Sequence, residues 1–280
     1  MLTAALLSGC SQPAGPSPAA SASPPSEQSP IPAPSPPAQA ATQATPPGSG
    51  GEPFAASRSF VADLSPRQAW FICDSLGFNQ IFVIGLPDES RRIEVLAYDR
   101  NTPGSRPRGR RSGASASPGA GQVYWPLTTG AGTEAGNLHA FNPGALSVPG
   151  DATTPTFTSA RIGGADASCR WVARTRLMGF SARRTFLVTQ APDGGLEYRT
   201  FDARDAGTAK PVAADGAQRS TTPSLDIKGG EETPGGFVFS NKGYAYTVTA
   251  GPTGGRVDIT RGATAIGSEP LIAWTIAPKL

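Results

Sequence analysis

General acid–base chemistry near neutral pH most often uses histidine, and the sequence contains one, His139. Any site that needs two imidazoles from one chain is therefore excluded. The residue lies in a segment rich in turn-forming residues, Gly-Asn-Leu-His-Ala-Phe-Asn-Pro at 136–143. A lone histidine in such a segment is structural or solvated far more often than it is catalytic. We expect no catalysis by this chain, and a hydrolase that uses His139 is the alternative.

The motifs of common cofactor and nucleophile sites are missing from the sequence. No Gly-Lys dipeptide occurs, which excludes the phosphate-binding P-loop, and neither Gly-x-Ser-x-Gly nor Ser-x-x-Lys is present. The glycines of 130–136 have the wrong spacing for a dinucleotide-binding turn. The adjacent carboxylates Asp88-Glu89 and Glu231-Glu232 are chain neighbours, which usually point apart. Three cysteines are too few for an iron–sulfur cluster or an all-thiolate zinc site. We expect no cofactor and no metal.

A cluster of arginines is the one chemical feature that rises above this background. The segment 100–121 contains five arginines and no acidic residue. Guanidinium groups match the geometry of phosphate and carboxylate groups, so the cluster is a candidate anion-binding site. A solvated loop with no binding role is the commoner meaning of such a charge run, and we favour it. The candidate residues are Arg106, Arg108, Arg110 and Arg111.

The elements that must position these residues are predicted to be mainly β-strands. Alternating and β-branched runs separated by Pro, Asp, Asn and Gly turns predict two antiparallel hairpins and a C-terminal meander. Such strands build a sandwich or an open barrel. The predicted strands cover residues 81–86, 93–99, 185–189, 196–202, 237–240, 244–248, 256–260 and 271–276.

The two predicted hairpins resemble each other. Both turns open with Pro-Asp, both return strands end in an aromatic residue followed by Asp, and each hairpin follows a cysteine. This similarity suggests two related halves linked by a disulfide. Hairpins converge on such patterns easily, however, and we favour convergence over duplication.

Three further segments complete the expected organisation of the folded part, residues 54–280. Ser65, Pro66 and Gln68 are typical of a helix start, and they predict one short helix over 65–76. The polar segments 100–121 and 203–222 are expected to be flexible loops.

The N-terminus carries the clearest indication of location. Leu7-Ser8-Gly9-Cys10 follows a short apolar run, and it resembles the lipobox of bacterial lipoprotein signals over residues 1–10. The sequence departs from that class because no Lys or Arg precedes the run. The resemblance implies that Cys10 carries lipid and anchors the chain to a membrane. With Ser11 after the cysteine, it implies an outer membrane lipoprotein that faces the periplasm.

The segment 11–53 is expected to be a disordered tether. It consists almost entirely of Pro, Ala, Ser, Gln, Thr and Gly, and Ile31 is its only bulky apolar residue. Such a segment cannot bury enough apolar surface to offset the entropy lost on ordering. A tether of this composition would hold the folded part away from the membrane.

If Cys10 is lipidated, Cys73 and Cys169 remain as an even pair in an oxidising compartment, and we expect them to form a disulfide. Two buried free thiols are the alternative.

The function that these expectations favour is a non-catalytic binding or structural lipoprotein. Its partner would be an envelope protein or an anionic envelope polymer, and not nucleic acid. A periplasmic enzyme inhibitor of the lysozyme-inhibitor type is an alternative.

Overall fold

Antiparallel β-strands make up most of the residues that the structure describes, as the sequence predicts. A computed structural model describes residues 57–62, 69–76, 80–102, 108–114, 117–119, 121–203 and 223–280. The strands in these ranges are β1 (Arg58–Val61), β2 (Ala69–Ser75), β3 (Gln80–Gly85), β4 (Arg92–Asp99), β5 (Arg108–Ala114), β6 (Ser117–Gly119), β7 (Gln122–Thr128), β8 (Glu134–Phe141), β9 (Phe157–Ile162), β10 (Ala165–Ser168), β11 (Thr175–Ser181), β12 (Arg184–Gln190), β13 (Leu196–Asp202), β14 (Leu225–Lys228), β15 (Gly230–Thr233), β16 (Gly236–Asn241), β17 (Tyr244–Gly251), β18 (Gly254–Arg261) and β19 (Thr264–Ile276).

The first sheet curls into a nearly closed barrel. Its strand order is β5-β4-β3-β2-β10-β9-β8-β7-β6, and an additional pairing of β5 with β7 brings its two ends together. Alternate residues of these strands point into the barrel and exclude water from its centre. The interior cluster includes Phe71, Phe82, Ile84, Ile93, Val95, Leu127, Leu138 and Phe157.

The second sheet forms a half-barrel. Its strand order is β14-β13-β12-β11-β19-β18-β17-β16-β15, and β1 adds to it by pairing with the C-terminal part of β19. The sheet contains both the predicted hairpin β12–β13 and the predicted C-terminal meander β16–β19. Its interior cluster includes Leu177, Phe186, Val188, Tyr198, Phe237, Phe239, Val248, Val257 and Trp274.

The two sheets have the same topology. Adding nine to each strand number in the order of the first sheet gives the order of the second. An irregularity of register repeats as well, between Ala69 and Phe71 in β2 and between Thr175 and Leu177 in β11. Because the repetition extends over nine strands and includes this bulge, the fold favours duplication, and the sequence-based preference for convergence is corrected.

A third apolar cluster holds the two sheets against each other. It combines side chains of β2, β3 and β4 with side chains of β11, β12, β13 and β19, so each sheet is buried on both faces at this contact. Burial of a side chain of this size contributes roughly 1.5–3 kcal/mol. The cluster includes Ile72, Ile81, Val83, Tyr98, Met178, Phe180, Leu187 and Phe201.

The expected short helix over 65–76 is wrong for the part that the structure describes. Residues 69–75 form β2, and residues 65–68 lie outside the described ranges. All seven residues of β2 are buried, because one face points into the barrel and the other packs on the second sheet. A strand that is apolar on both faces has no alternation, and a short apolar run of this kind cannot be told from a buried helix.

The expected loop over 100–121 is also partly wrong. Residues 108–114 and 117–119 form β5 and β6, which pair with β4 and β7. Pairing of the backbone explains these strands without the alternation of apolar residues that sequence reasoning requires. The expected loop over 203–222 lies outside the described residues except for Ala203.

The tight turn of the C-terminal meander shows how local sequence sets the strand register. Asn241 pairs directly with Tyr244, so the connection has two residues rather than the three expected. Lys242 and Gly243 have φ of 49° and 82°, which is typical of the type I′ turn that matches strand twist.

In the part of the chain described here, no helix has the length and apolar character needed to span a membrane.

Candidate functional site

The disulfide expected between Cys73 and Cys169 is present. Cys73 belongs to β2, Cys169 directly follows β10, and their Cα atoms lie 3.9 Å apart. Since β2 and β10 are neighbours in the first sheet, the bond closes a loop within one half and does not link the two halves. This corrects the expectation of a disulfide between them. Both cysteines are buried, so the bond belongs to the core of the barrel.

The structure describes only some of the residues predicted to carry lipid or to bind an anion. Cys10 and Arg106 lie outside the described residues. The other three candidate arginines belong to β5 and not to a loop. Arg108, Arg110 and Arg111 pair in register with Ala97, Val95 and Glu94 of β4.

His139 lies in the middle of β8, between Tyr124 of β7 and Ser159 of β9 in the strand register. The imidazole is buried, and 3% of the residue remains exposed. Its Nε2 lies 2.8 Å from Gln122 Oε1 and its Nδ1 lies 2.9 Å from Thr158 Oγ1. An amide oxygen can only accept, so Nε2 donates and Nδ1 accepts from the threonine hydroxyl.

The ring of Tyr124 covers this imidazole. The two rings are stacked with centroids 4.5 Å apart and an interplanar angle of 24°. The Tyr124 hydroxyl donates to Gln122 Oε1 at 2.7 Å, the same oxygen that receives the imidazole N–H. Burial lowers the pKa of His139 below its ordinary value, which keeps the ring neutral. The groups that bond to the ring are a carboxamide and hydroxyls, an arrangement that fixes the imidazole in place.

A buried charged cluster that sequence reasoning missed lies between the two sheets. Asp74 of β2 accepts hydrogen bonds from Arg100, which follows β4, and from Arg170 Nε at 2.6 Å. The Thr185 hydroxyl of β12 donates to the same carboxylate at 2.6 Å. The Arg170 guanidinium also lies 4.2 Å from the centre of the Phe201 ring. Sequence gives no signal for this cluster, because its members are far apart in the chain and their apolar neighbours dominate the pattern.

The electrostatics of the cluster favour the charged form of Asp74. Burial raises the pKa of this carboxyl group, but the opposite charges of Arg100 and Arg170 and the bonds from Arg170 and Thr185 outweigh burial. The pKa is therefore lowered from its ordinary value. Side chains of both arginines are at most 4% exposed. The cluster is thus a structural link between the sheets rather than a site that a ligand can reach.

An open groove of about 810 Å³ lies on the second sheet, where the turn between β11 and β12 meets the first part of β19. Leu271 and Ile272 supply buried apolar surface, while Ile266 is 53% exposed. The volume lies within the range that is typical of ligand sites. The groove is lined by Ala62, Ser181, Ala182, Arg183, Arg184, Ile259, Ile266, Gly267, Ser268, Glu269, Pro270, Leu271 and Ile272.

Charged side chains form one wall of the groove. Glu269 lies 3.2 Å from Arg184 and accepts a hydrogen bond from the Ser181 hydroxyl at 3.1 Å. Arg184 also approaches Asp202 at 3.6 Å. Arg183 beside it is exposed. The groove therefore combines apolar surface with a pre-formed ion pair, which suits recognition of a partly apolar ligand with a polar end.

Within the residues that the structure describes, no three His, Cys, Asp or Glu side chains gather into a possible metal site. Comparisons of the chain with models of protein families, with characterised proteins and with solved structures find no match. The function is therefore argued from the geometry above.

Proposed function

We propose that the protein is a non-catalytic binding protein of the bacterial envelope that holds a partner in the groove of the second sheet. The observation that carries the proposal is the groove itself, about 810 Å³ in volume and lined by apolar residues beside the Arg184–Glu269 pair. The arrangement offers hydrogen-bonding and apolar contacts. The single imidazole of the chain is engaged elsewhere, beneath Tyr124.

The N-terminal sequence supports a location at the outer membrane, on its periplasmic side. Leu7-Ser8-Gly9-Cys10 resembles a lipoprotein signal, and the segment 11–53 has the composition of a tether. The Cys73–Cys169 bond is consistent with an oxidising compartment. In this proposal the lipid on Cys10 holds the chain at the membrane, and the folded part reaches its partner from there.

The partner in this proposal is an envelope protein or an anionic envelope polymer rather than nucleic acid. The apolar part of the groove suits a protein segment, whereas the arginines of 106–111 suit an anionic polymer. These two contacts differ in their response to salt. Binding through these arginines should weaken as ionic strength rises, because charge attraction in solvent is screened over about 8 Å at physiological strength.

Blocking the groove tests the proposal. Gly267 lines the groove, and no atom lies within 4 Å of a Cβ added there. Gly267→Trp should therefore fill the groove without strain in the sheet. The full-length protein would be bound to envelopes isolated from cells that lack it, and the bound fraction measured against concentration. We expect Gly267→Trp to weaken binding at least tenfold.

Gly130→Trp is the matched control, because Gly130 also has open space at its Cβ and lies in the turn after β7 of the other sheet. It should bind like the wild type. Protease treatment of the envelopes distinguishes the partners, because it removes binding only if the partner is a protein. Equal binding of the wild type and Gly267→Trp, or no binding by the wild type, contradicts the proposal.

A further inference from the structure

The Tyr124 ring is partly exposed to solvent. The residue is 41% exposed although its ring is stacked on His139, which is 3% exposed. The imidazole covers one side of the ring, so the exposed fraction of Tyr124 belongs to the rest of its surface. An aromatic residue of this size that stays exposed on a sheet offers a flat apolar surface to a ligand.

Uncharged hydrogen-bonding residues and one arginine lie near Tyr124 in the strand register. The register aligns Tyr124 with His139 and Ser159, and it aligns Pro126 with Asn137 and Arg161. On the other side of β7, Tyr124 pairs with Ser117 of β6. Residues directly opposite each other on antiparallel strands point to the same side of the sheet. We call the set Tyr124, Pro126, Asn137, Ser159 and Arg161 the Tyr124 face. Pro126 and Arg161 are exposed, and Asn137 and Ser159 are half-buried.

We propose that the Tyr124 face binds a glycan, with a pyranose ring stacked on the Tyr124 ring. The C–H side of a pyranose is flat and apolar and matches an open aromatic ring, while its hydroxyl groups need donors and acceptors at the rim of the contact. Asn137, Ser159 and Arg161 supply such groups. A cationic ligand would be expected to find carboxylates beside the ring, and none of the five residues of the face is acidic.

The ring is held in position before any ligand arrives. Its hydroxyl is bonded to Gln122 Oε1, and its inner side rests on an imidazole bonded to Gln122 and Thr158. A side chain that is already fixed loses little conformational entropy on binding. The Tyr124 hydroxyl donates to Gln122, so its oxygen can still accept from a sugar hydroxyl.

The Tyr124 face and the groove are separate sites on different sheets, so this proposal stands independently of the proposed function. The face is part of an open sheet surface rather than a cavity, which suits an extended polymer such as the glycan strand of a cell wall. A neutral glycan held by stacking should bind with little dependence on salt, in contrast to an anionic polymer held by arginines.

The test uses the full-length protein and a soluble β-1,4-linked tetrasaccharide of N-acetylglucosamine. Binding is measured by calorimetry at two salt concentrations, and by saturation transfer from tyrosine ring protons to the sugar. We expect transfer to the C–H protons of the pyranose rings in the wild type. Tyr124→Ala should weaken binding at least tenfold, whereas Tyr124→Phe, which keeps the ring, should stay within about threefold of the wild type.

Two controls keep the outcome specific. Leu86→Ala removes another exposed apolar side chain, 41% exposed, near the same sheet and should leave binding unchanged. Gly267→Trp blocks the groove and should also leave glycan binding unchanged. Circular dichroism and the unfolding midpoint establish that each variant is folded, and the saturation transfer needs no variant. No binding by the wild type at millimolar glycan, full binding by folded Tyr124→Ala, or loss of binding in Gly267→Trp overturns the proposal.

Discussion

The Thr185 hydroxyl of β12 donates a 2.6 Å hydrogen bond to the Asp74 carboxylate of β2 and thereby joins the second sheet to the first. Around this contact the interface between the sheets is apolar. An apolar interface tolerates sliding of one surface over the other, whereas a buried carboxylate with fixed donors accepts one arrangement only. We infer that the Asp74 cluster specifies how the two sheets pack, at some cost in desolvation.

Asp74→Asn should destabilise the protein by about 3–5 kcal/mol, because it leaves the buried guanidinium groups of Arg100 and Arg170 without their counter-charge. Chemical denaturation of the purified protein measures the change in unfolding free energy. Asp88→Asn is the control, since Asp88 pairs with Arg92 in an exposed turn, and it should have a far smaller effect. A loss at Asp74 no larger than that at Asp88 would refute the structural role of the cluster.

Thr185→Val should cost at least about 1.5–3 kcal/mol, the usual contribution of a hydrogen bond to a charged group, because the hydroxyl donates to Asp74 and accepts from Arg100 Nη2 at 3.0 Å. The substitution keeps the shape of the side chain and removes only the hydroxyl, which bonds to both Asp74 and Arg100. The double variant with Asp74→Asn should lose less than the sum of the two single losses, because both changes act on the same bond. Strict additivity of the unfolding free energies would show that the two residues are not coupled.

Reduction of the Cys73–Cys169 bond should lower the unfolding free energy by about 2–4 kcal/mol. The bond joins residues with a sequence separation of 96, so it strongly reduces the conformational entropy of the unfolded chain. The folded barrel should survive reduction, because β10 remains paired with both β2 and β9. Parallel denaturation curves with and without reductant, and the mass of the alkylated protein, provide the measurement. Identical curves for fully reduced and oxidised protein would contradict this expectation.

Stability should fall as the pH decreases below about 6.5, through His139. Its folded pKa is lowered by burial, so the unfolded chain takes up a proton first as the pH falls. The contribution of His139 to the unfolding free energy is therefore complete above the pKa of the unfolded chain. It is lost progressively as the pH falls towards the pKa of the folded protein. Unfolding free energies at pH 7.5 and pH 5.5 should differ more for the wild type than for His139→Gln. Asp74, whose pKa is lowered from 3.8, should contribute its own loss only below about pH 4.

Cys10→Ala should release the protein from membranes into the soluble fraction. Without the thiol no lipid can be attached, and the described part of the chain has no helix able to span a membrane. Fractionation of cells followed by immunoblotting measures the distribution, with Cys73→Ala as a control that keeps the anchor. Intact Cys10→Ala protein that remains in the membrane fraction would remove the basis for the proposed location.

The sequence predicts those strands that recognisable turn residues join into hairpins. β3 and β4 flank the turn Pro87-Asp88-Glu89-Ser90, and similar turns join the strands of the other hairpin and of the meander, so these strands were predictable even where both of their faces are buried. β2 was not predicted, because its run has no alternation and Ser65, Pro66 and Gln68 before it are typical of a helix start. β5 was not, because backbone pairing with β4 replaces any apolar pattern. The repeated topology became visible only in the order of the strands, which pairs of residues in two hairpins cannot establish.

The candidate sites were less predictable than the strands. The disulfide followed from the number of cysteines, but its place within one half did not, since hairpin similarity carries no information on which strands are neighbours. His139 was expected to be structural or solvated rather than catalytic, but its stacking on Tyr124 depends on the β7–β8 register, which the sequence does not give. The Arg184–Glu269 pair joins residues that are far apart in the chain and meet only when β11 pairs with β19.

β1 is the first described strand after the N-terminal segment, and its position determines how the fold would carry mechanical load. Arg58 pairs with Ile276 at one end of β1, and at the other end Ala62 lines the groove. In an anchored protein with its partner bound, tension would therefore run lengthwise along β1. Because antiparallel hydrogen bonds lie perpendicular to the strands, such a force would shear the β1–β19 bonds together instead of opening them one by one. The Ser59–Thr275 hydroxyl bond and the Phe60–Trp274 stack would resist the same displacement.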